Sequence, residues 1–249
     1  MQVALTHALM RYGGLNTSDG YQGNLHNNGG TLTLRASTLS HSRNYGLFQG
    51  GGTTLLTDTQ VLSTTTGYAP GVGLQTQSGV LRLSGSTVRA NSGNGIDARN
   101  TILTMIESEV SGNAGHGVYG KRLIALTLTN TTVTGNAGYA AYLNFDFGGA
   151  PSMQVSGNTV SGNSINGLGL AGWLGNASTP TSLTLPLAPE LPYVLDGLGV
   201  NNQAQLTIPA GAVLKFSSAS NRLDVYGTLD APGISASPIV FTSRKNSPR

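Results

Sequence analysis

The sequence has no cysteine among its 249 residues, so disulfide scaffolds and thiolate chemistry are excluded. Charged residues make up only 9% of the chain, against roughly 25% in ordinary soluble domains. The 13 Lys and Arg residues are scattered and the net charge is only +3, whereas nucleic-acid binding requires a clustered basic stripe. No nucleic-acid partner is therefore predicted.

Long apolar runs are also missing. No stretch is long enough to span a membrane, and no signal peptide is recognisable at the start. The chain begins and ends within a strand pattern and without a polar cap, which predicts that it is a piece of a longer protein. Open ends also predict that copies can associate end to end.

Acidic residues number only ten and form no cluster of three. Glu107 and Glu109 lie two positions apart and are interpreted as one solvated strand face. Calcium requires about six to eight oxygen ligands with several carboxylates, which no segment supplies. His116 lies between Gly115 and Gly117, a triplet that we interpret as part of a repeat rather than as a catalytic motif. We predict no catalytic residue, no metal site and no cofactor.

The chain is rich in glycine, with 36 residues. It also contains a repeated sequence motif built around an apolar residue. Taken as the origin of each copy, that residue is Leu39, Val61, Val88, Val110, Val133 or Val160. The copies lie 22–27 residues apart, a period that indicates a stacked architecture. Further apolar residues fall five and seven positions before the origin and eight after it, with Thr54 the polar exception seven positions before, and such alternation marks short strands. A coil of about 22 residues with several short strands is one rung of an all-β, parallel β-helix.

Asparagine recurs three positions after the origin, in the four best copies of the motif. These residues are Asn91, Asn113, Asn136 and Asn163. Stacked amides can hydrogen-bond from rung to rung, so we predict a structural Asn ladder rather than a binding site. A glycine recurs about seven positions after the origin, as Gly117 does after Val110. It predicts a turn that needs either positive φ or a close backbone approach.

The composition divides the chain into three segments. Residues 1–170 carry the repeats and are predicted to form parallel β-helix rungs. Residues 171–204 are rich in Pro and Ala and are predicted to be a loop or linker. Alternation resumes in residues 205–249, which are predicted to form further rungs of the same coil or of a following module.

The C-terminal residues 206–216, 223–231 and 238–243 resemble a module of large bacterial secreted and cell-surface proteins. Those proteins carry right-handed parallel β-helix repeats of the pectate-lyase-like superfold, and the repeats at 85–168 resemble its central rungs. The resemblance implies a right-handed coil and an extracellular or cell-surface location. It leaves function open, because the superfold hosts lyases, hydrolases and adhesins.

Four tyrosines fall at positions that the repeat turns outward. They are Tyr45, Tyr119, Tyr139 and Tyr142. Flat rings with a polar tip suit sugar stacking, so we predict a carbohydrate-binding patch; the alternative is that the rings merely shield turns.

These observations predict a non-catalytic extracellular module of a larger bacterial surface or secreted protein. It would act as a rigid spacer or adhesin, with a polysaccharide or cell-surface glycan as partner. A polysaccharide lyase or glycoside hydrolase is one alternative, and a purely structural stalk is another.

Overall fold

A computed structural model describes residues 1–14, 23–66 and 70–244. Within these ranges the chain forms strands, turns and bends, with no α-helix. In the same ranges, no helix has the length and apolar character needed to cross a membrane. The end of the predicted third segment, 245–249, lies outside the described residues.

The described residues form twenty-six strands, most of them short. The first thirteen are β1 (Gln2–Thr6), β2 (Leu9–Arg11), β3 (Gly23–Arg35), β4 (Thr38–Ser40), β5 (Tyr45–Thr57), β6 (Gln60–Leu62), β7 (Val72–Thr76), β8 (Gly79–Ser84), β9 (Thr87–Arg89), β10 (Ile96–Arg99), β11 (Thr101–Ile106), β12 (Glu109–Ser111) and β13 (Val118–Lys121). The others are β14 (Ala125–Thr129), β15 (Thr132–Thr134), β16 (Tyr139–Asn144), β17 (Ser152–Ser156), β18 (Thr159–Ser161), β19 (Ile165–Leu174), β20 (Thr181–Thr184), β21 (Tyr193–Val200), β22 (Ala204–Thr207), β23 (Val213–Phe216), β24 (Leu223–Val225), β25 (Thr228–Asp230) and β26 (Val240–Ser243).

The strands stack as a coil of about nine turns, in which each strand pairs in parallel with its equivalent one rung away. Seven strands of three residues each form one wall, in the order β18-β15-β12-β9-β6-β4-β2. The long strands β3 and β5 turn a corner and join two further walls into one sheet of sixteen strands, and a third sheet has the order β20-β22-β25. The predicted all-β parallel β-helix is confirmed.

Apolar columns fill the inside of the coil, as the repeat predicts. Leu74, Ile96, Val118, Ala141 and Leu168 pair one above another and are buried. Burying one large apolar side chain contributes about 1.5–3 kcal/mol, so the column stabilises the stack only when rungs lie on rungs.

A single polar residue interrupts the predicted apolar column seven positions before the origin. Thr54 is fully buried, and its hydroxyl accepts a hydrogen bond from Asn27 Nδ2 at 3.1 Å. Because a buried hydroxyl without a partner is costly, this bond explains how the column accommodates a threonine.

Single residues in the left-handed conformation make the corners between walls. One column of such corners holds His7, Ala36, Asp58, Gly85, Glu107, Asn130 and Gly157. Glu107 has a φ of 49° there and precedes strand β12, so it does not share a strand face with Glu109. The interpretation of these two acids as one strand face is wrong for that reason.

The glycines about seven positions after the origin allow the backbones of adjacent rungs to approach closely, and they do not have positive φ. Gly117 lies outside the left-handed region, and a Cβ placed on it would lie 2.6 Å from the backbone oxygen of Ala140 in the next rung. A side chain at this position would therefore separate two rungs.

The four asparagines after the origin are buried and hydrogen-bonded from rung to rung. Nδ2 of Asn91 donates to Oδ1 of Asn113, Nδ2 of Asn113 to Oδ1 of Asn136, and Nδ2 of Asn136 to Oδ1 of Asn163, each at 2.8 Å. Each of the three acceptor oxygens also receives the backbone N–H of the preceding asparagine. The amide oxygens of Asn113, Asn136 and Asn163 each therefore accept hydrogen bonds from both the side chain and the backbone of the asparagine one rung earlier.

The segment 171–204, predicted from its composition to be a loop or linker, contains strands as well as irregular backbone. Irregular backbone occupies 175–180, 185–192 and 201–203, and the first two of these stretches contain all four prolines of the segment. The remaining residues include the end of β19, all of β20 and β21, which pair in parallel with neighbouring strands. Proline interrupts only the corners, so the coil continues through this segment.

Candidate functional site

The candidate site lies on the outer face of one wall, here called the site wall. It is built by β7, β10, β13, β16, β19 and β21. Pairing places Gln75, Asp97, Tyr119, Tyr142 and Gly169 in one outward row, because their neighbours in each strand belong to the inner apolar column.

Three nearly parallel rings form the centre of this face. The centroids of His116 and Tyr142 are 5.1 Å apart at an interplanar angle of 11°, and those of Tyr119 and Tyr142 are 5.9 Å apart at 9°. Tyr139 meets Tyr142 edge to face at 4.9 Å. We call these four residues the ring cluster; Tyr139 is buried and the other three are half-buried.

A glycine in the next rung makes room for the rings. A Cβ on Gly169 would lie 2.4 Å from Cδ2 of Tyr142 and 3.0 Å from Cδ1 of Tyr139. The rings therefore lie against bare backbone, and any side chain at position 169 would displace them.

A carboxylate anchors the cluster at one side. Tyr142 donates its hydroxyl hydrogen bond to Oδ2 of Asp196 at 3.1 Å, while Ser217 Oγ and Asn221 Nδ2 donate to Oδ1 at 2.6 and 2.8 Å. Burial, reinforced by the charge of Asp196, raises the pKa of Tyr142 well above its usual value. Tyr142 therefore stays a neutral donor at physiological pH.

His116 is held in one tautomer by the repeat itself. Its Nδ1 accepts the backbone N–H of Tyr139 at 3.0 Å, just as Oδ1 of Asn94 accepts the backbone N–H of His116 one rung earlier at 2.8 Å. An accepting Nδ1 places the proton of the neutral ring on Nε2. Burial lowers the pKa of His116, and the charges of Asp196 and Asp97 partly oppose that shift.

Acidification is expected to destabilise the fold through His116. Because its folded-state pKa lies below the ordinary value of 6.5, the unfolded chain takes up this proton first. The stabilisation is complete above about pH 6.5 and is lost as pH falls through the folded-state pKa. Between about pH 7.5 and pH 5, we expect the wild-type melting temperature to fall further than that of a His116→Asn variant.

The Asn variant keeps a side-chain acceptor, as Asn94 does, but does not titrate. Circular dichroism melts at both pH values give the comparison. Equal losses in the two proteins would assign the pH dependence to other groups.

Beside the cluster, a cavity of about 310 Å³ contains the most buried carboxylate of the wall. Asp97 is 7% exposed, binds Arg99 through both carboxylate oxygens at 3.1 and 3.3 Å, and accepts from Gln75 Nε2 at 3.4 Å. Tyr45 lines the same cavity and packs on Phe48 at 5.5 Å.

The structure thus brings together three of the four tyrosines predicted for carbohydrate binding: Tyr119, Tyr139 and Tyr142. Tyr45 lies three rungs before His116, about 14 Å along the axis at roughly 4.8 Å per rung. Sequence reasoning missed His116 as a ring of the cluster, although it occupies the same rung position as Tyr139.

Asp196 was missed as well, because it lies in the segment interpreted as a linker. Across the described residues, no group of three or more His, Cys, Asp or Glu side chains is placed to hold a metal ion.

A family model described as a right-handed β-helix region matches residues 23–180. Neither the curated proteins nor the solved structures gave a match to the chain.

Proposed function

The chain belongs to the right-handed β-helix family, and we propose that within it the protein is a non-catalytic, extracellular module of a larger bacterial surface or secreted protein. It acts as a rigid spacer and adhesin that binds a polysaccharide or cell-surface glycan through the ring cluster. The resemblance of the C-terminal residues to modules of secreted proteins supports the location. Detection of the protein in the secreted or cell-surface fraction of the producing cells tests it.

The parallel stack of His116, Tyr119 and Tyr142 is the observation that carries the proposal. Rings fixed on paired strands cost little conformational entropy when a ligand binds. A half-buried aromatic face with a polar edge suits the apolar face of a sugar ring together with its hydroxyls. The side chain of Asp196 and the Nε2–H of His116 supply an acceptor and a donor within the same patch.

Replacing Tyr142 or Tyr119 by alanine is expected to weaken glycan binding about tenfold, because each removes one face of the stack. A glycan array identifies the ligand, and isothermal titration then measures its affinity for each variant. Tyr12→Ala is the matched control, since this tyrosine is 74% exposed in the bend that follows β2, several rungs before the ring cluster. Unchanged affinity in both cluster variants would reject the patch, and an array without hits would favour the purely structural stalk.

The pairing of the buried Asp97 with the partly exposed Arg99 is the observation that favours the catalytic alternative. Glycoside hydrolysis requires two carboxyl groups about 5–10 Å apart. Asp196, the other carboxylate whose charge reaches His116, lies four rungs beyond Asp97, about 19 Å at roughly 4.8 Å per rung. Degradation of a polysaccharide that Asp97→Asn abolishes would establish the enzyme over the adhesin.

A further inference from the structure

A second group of rings lies where the strands of the site wall end, and no sequence prediction covers it. Phe147, Trp173 and Tyr226, here called the aromatic strip, come from three different rungs. The centroids of Phe147 and Trp173 are 6.1 Å apart at 10°, and those of Trp173 and Tyr226 are 5.5 Å apart at 43°. Phe147 is 55% exposed and Tyr226 is 67% exposed.

Trp173 lies flat on the surface of the coil. A Cβ on Gly199, in the next rung, would be 2.3 Å from Cε3 of the indole and 2.6 Å from both Cδ2 and Cζ3. Such distances fit a point above the ring face rather than beside its edge. One face of the indole therefore covers Gly199, and Phe147, being parallel, presents its ring in the same orientation.

The backbone holds Phe147 in a conformation that runs against its local preference. Phe147 has a φ of 59°, a left-handed conformation that aromatic residues rarely adopt. Its backbone N–H donates to the oxygen of Trp173 at 2.9 Å, which ties its corner to the next rung. The fold thus holds a large apolar ring at an exposed corner in an unfavourable conformation, as binding residues often are held.

Ion pairs border the strip on both sides. Lys121 Nζ binds Asp146 at 2.9 Å beside Phe147, and Arg222 Nε binds Asp224 at 2.8 Å near Tyr226. Arg122 also acts on Asp146 and packs under Gly148. Because both ion-paired cations already have carboxylate partners, the surroundings favour an uncharged ligand over an acidic one.

The size of the strip favours a polymer of sugars over a protein. The three aromatic side chains have roughly 150–250 Å² each, about 450–750 Å² in all, and because each is partly buried they expose less than the roughly 800 Å² per partner of a stable protein interface. Their positions on different rungs form a line along the coil axis, and a sugar ring has a flat C–H face of matching size.

We propose that the aromatic strip binds an uncharged polysaccharide chain, with consecutive sugar rings lying on Phe147, Trp173 and Tyr226. The site is separate from the ring cluster and does not rest on its function. Trp173 is the only tryptophan of the chain, so its fluorescence reports on this strip alone.

The experiment titrates the full chain with cellohexaose, xylohexaose and mannohexaose, and with an oligogalacturonate of equal length. At least one neutral hexasaccharide is expected to shift the Trp173 emission, and the acidic oligomer is expected to leave it unchanged. Phe147→Ala and Tyr226→Ala should each weaken that binding about three- to tenfold. Both residues are exposed, so circular dichroism should show an unchanged fold.

Leu187→Ala is the matched control, since this leucine is 53% exposed away from the strip, and it should bind as the wild type does. Tyr119→Ala should also bind the hexasaccharide normally, which separates this site from the ring cluster. No emission change with any neutral oligomer at millimolar concentration would overturn the proposal. So would a response to oligogalacturonate alone, or wild-type affinity in both strip variants.

Discussion

Replacing Asn136 by alanine is expected to lower the free energy of unfolding by about 3–5 kcal/mol, the largest effect that we predict for a single side chain. The amide accepts both the backbone N–H and Nδ2 of Asn113, and it donates to Asn163 Oδ1 and to the oxygen of Val110. Its removal leaves the buried N–H of Asn113 without this acceptor and the oxygen of Val110 without this donor. Each buried polar group that loses its partner costs about 1–3 kcal/mol.

Urea unfolding followed by circular dichroism measures the change. Asn202→Ala is the control, because Asn202 is exposed and its backbone N–H, which donates to Asn201 Oδ1, is kept in the variant. That variant should stay within about 0.5 kcal/mol of the wild type. A loss below about 1 kcal/mol for Asn136→Ala would mean that the ladder contributes little to stability.

Adding a single methyl group at Gly117 is expected to cost about 2–3 kcal/mol. The new Cβ of Gly117→Ala would lie 2.6 Å from the oxygen of Ala140, 2.8 Å from Cγ1 of Val133 and 3.0 Å from Nδ2 of Asn136. Two of these atoms belong to rigid parts of the next rung, so the rungs must move apart. Separation weakens the parallel hydrogen bonds on both sides of the rung, including the bond from Gly117 N to Tyr139 O at 2.9 Å.

Gly149→Ala is the matched control for this substitution. A Cβ on Gly149 would meet no atom within 4 Å, and its backbone is outside the left-handed region. It should therefore unfold like the wild type or be slightly more stable, because alanine reduces the entropy of the unfolded chain. Equal stability of Gly117→Ala and the wild type would show that adjacent rungs can accommodate a methyl group without a loss of stability, contrary to this prediction.

The coil was predictable because its stability depends on a periodic pattern. Val88, Val110 and Val133 pair directly with one another, so an origin counted along the sequence is a true register. The same count places Tyr119 opposite Tyr142, which is why part of the ring cluster could be found without a structure.

The positions of Asp196 and Trp173 could not be predicted, because they depend on contacts between rungs that carry no periodic signal in the sequence. Both residues lie in the proline-rich segment 171–204, where the repeated sequence motif no longer occurs although the strands continue. The position of Trp173 depends on the missing side chain of Gly199, and that pairing requires the bulged register between β19 and β21. A glycine in one strand does not reveal, from sequence alone, which ring will cover it.

Parallel pairing also determines how the molecule responds to force. Among the described residues, the backbone of each strand pairs with its equivalents in the neighbouring rungs, so tension applied along the chain reaches the outermost rung first. Peeling one rung of 22–27 residues releases a contour length of roughly 75–95 Å. Stretching would therefore proceed as a series of similar steps, each dissipating mechanical work while the remaining coil stays intact.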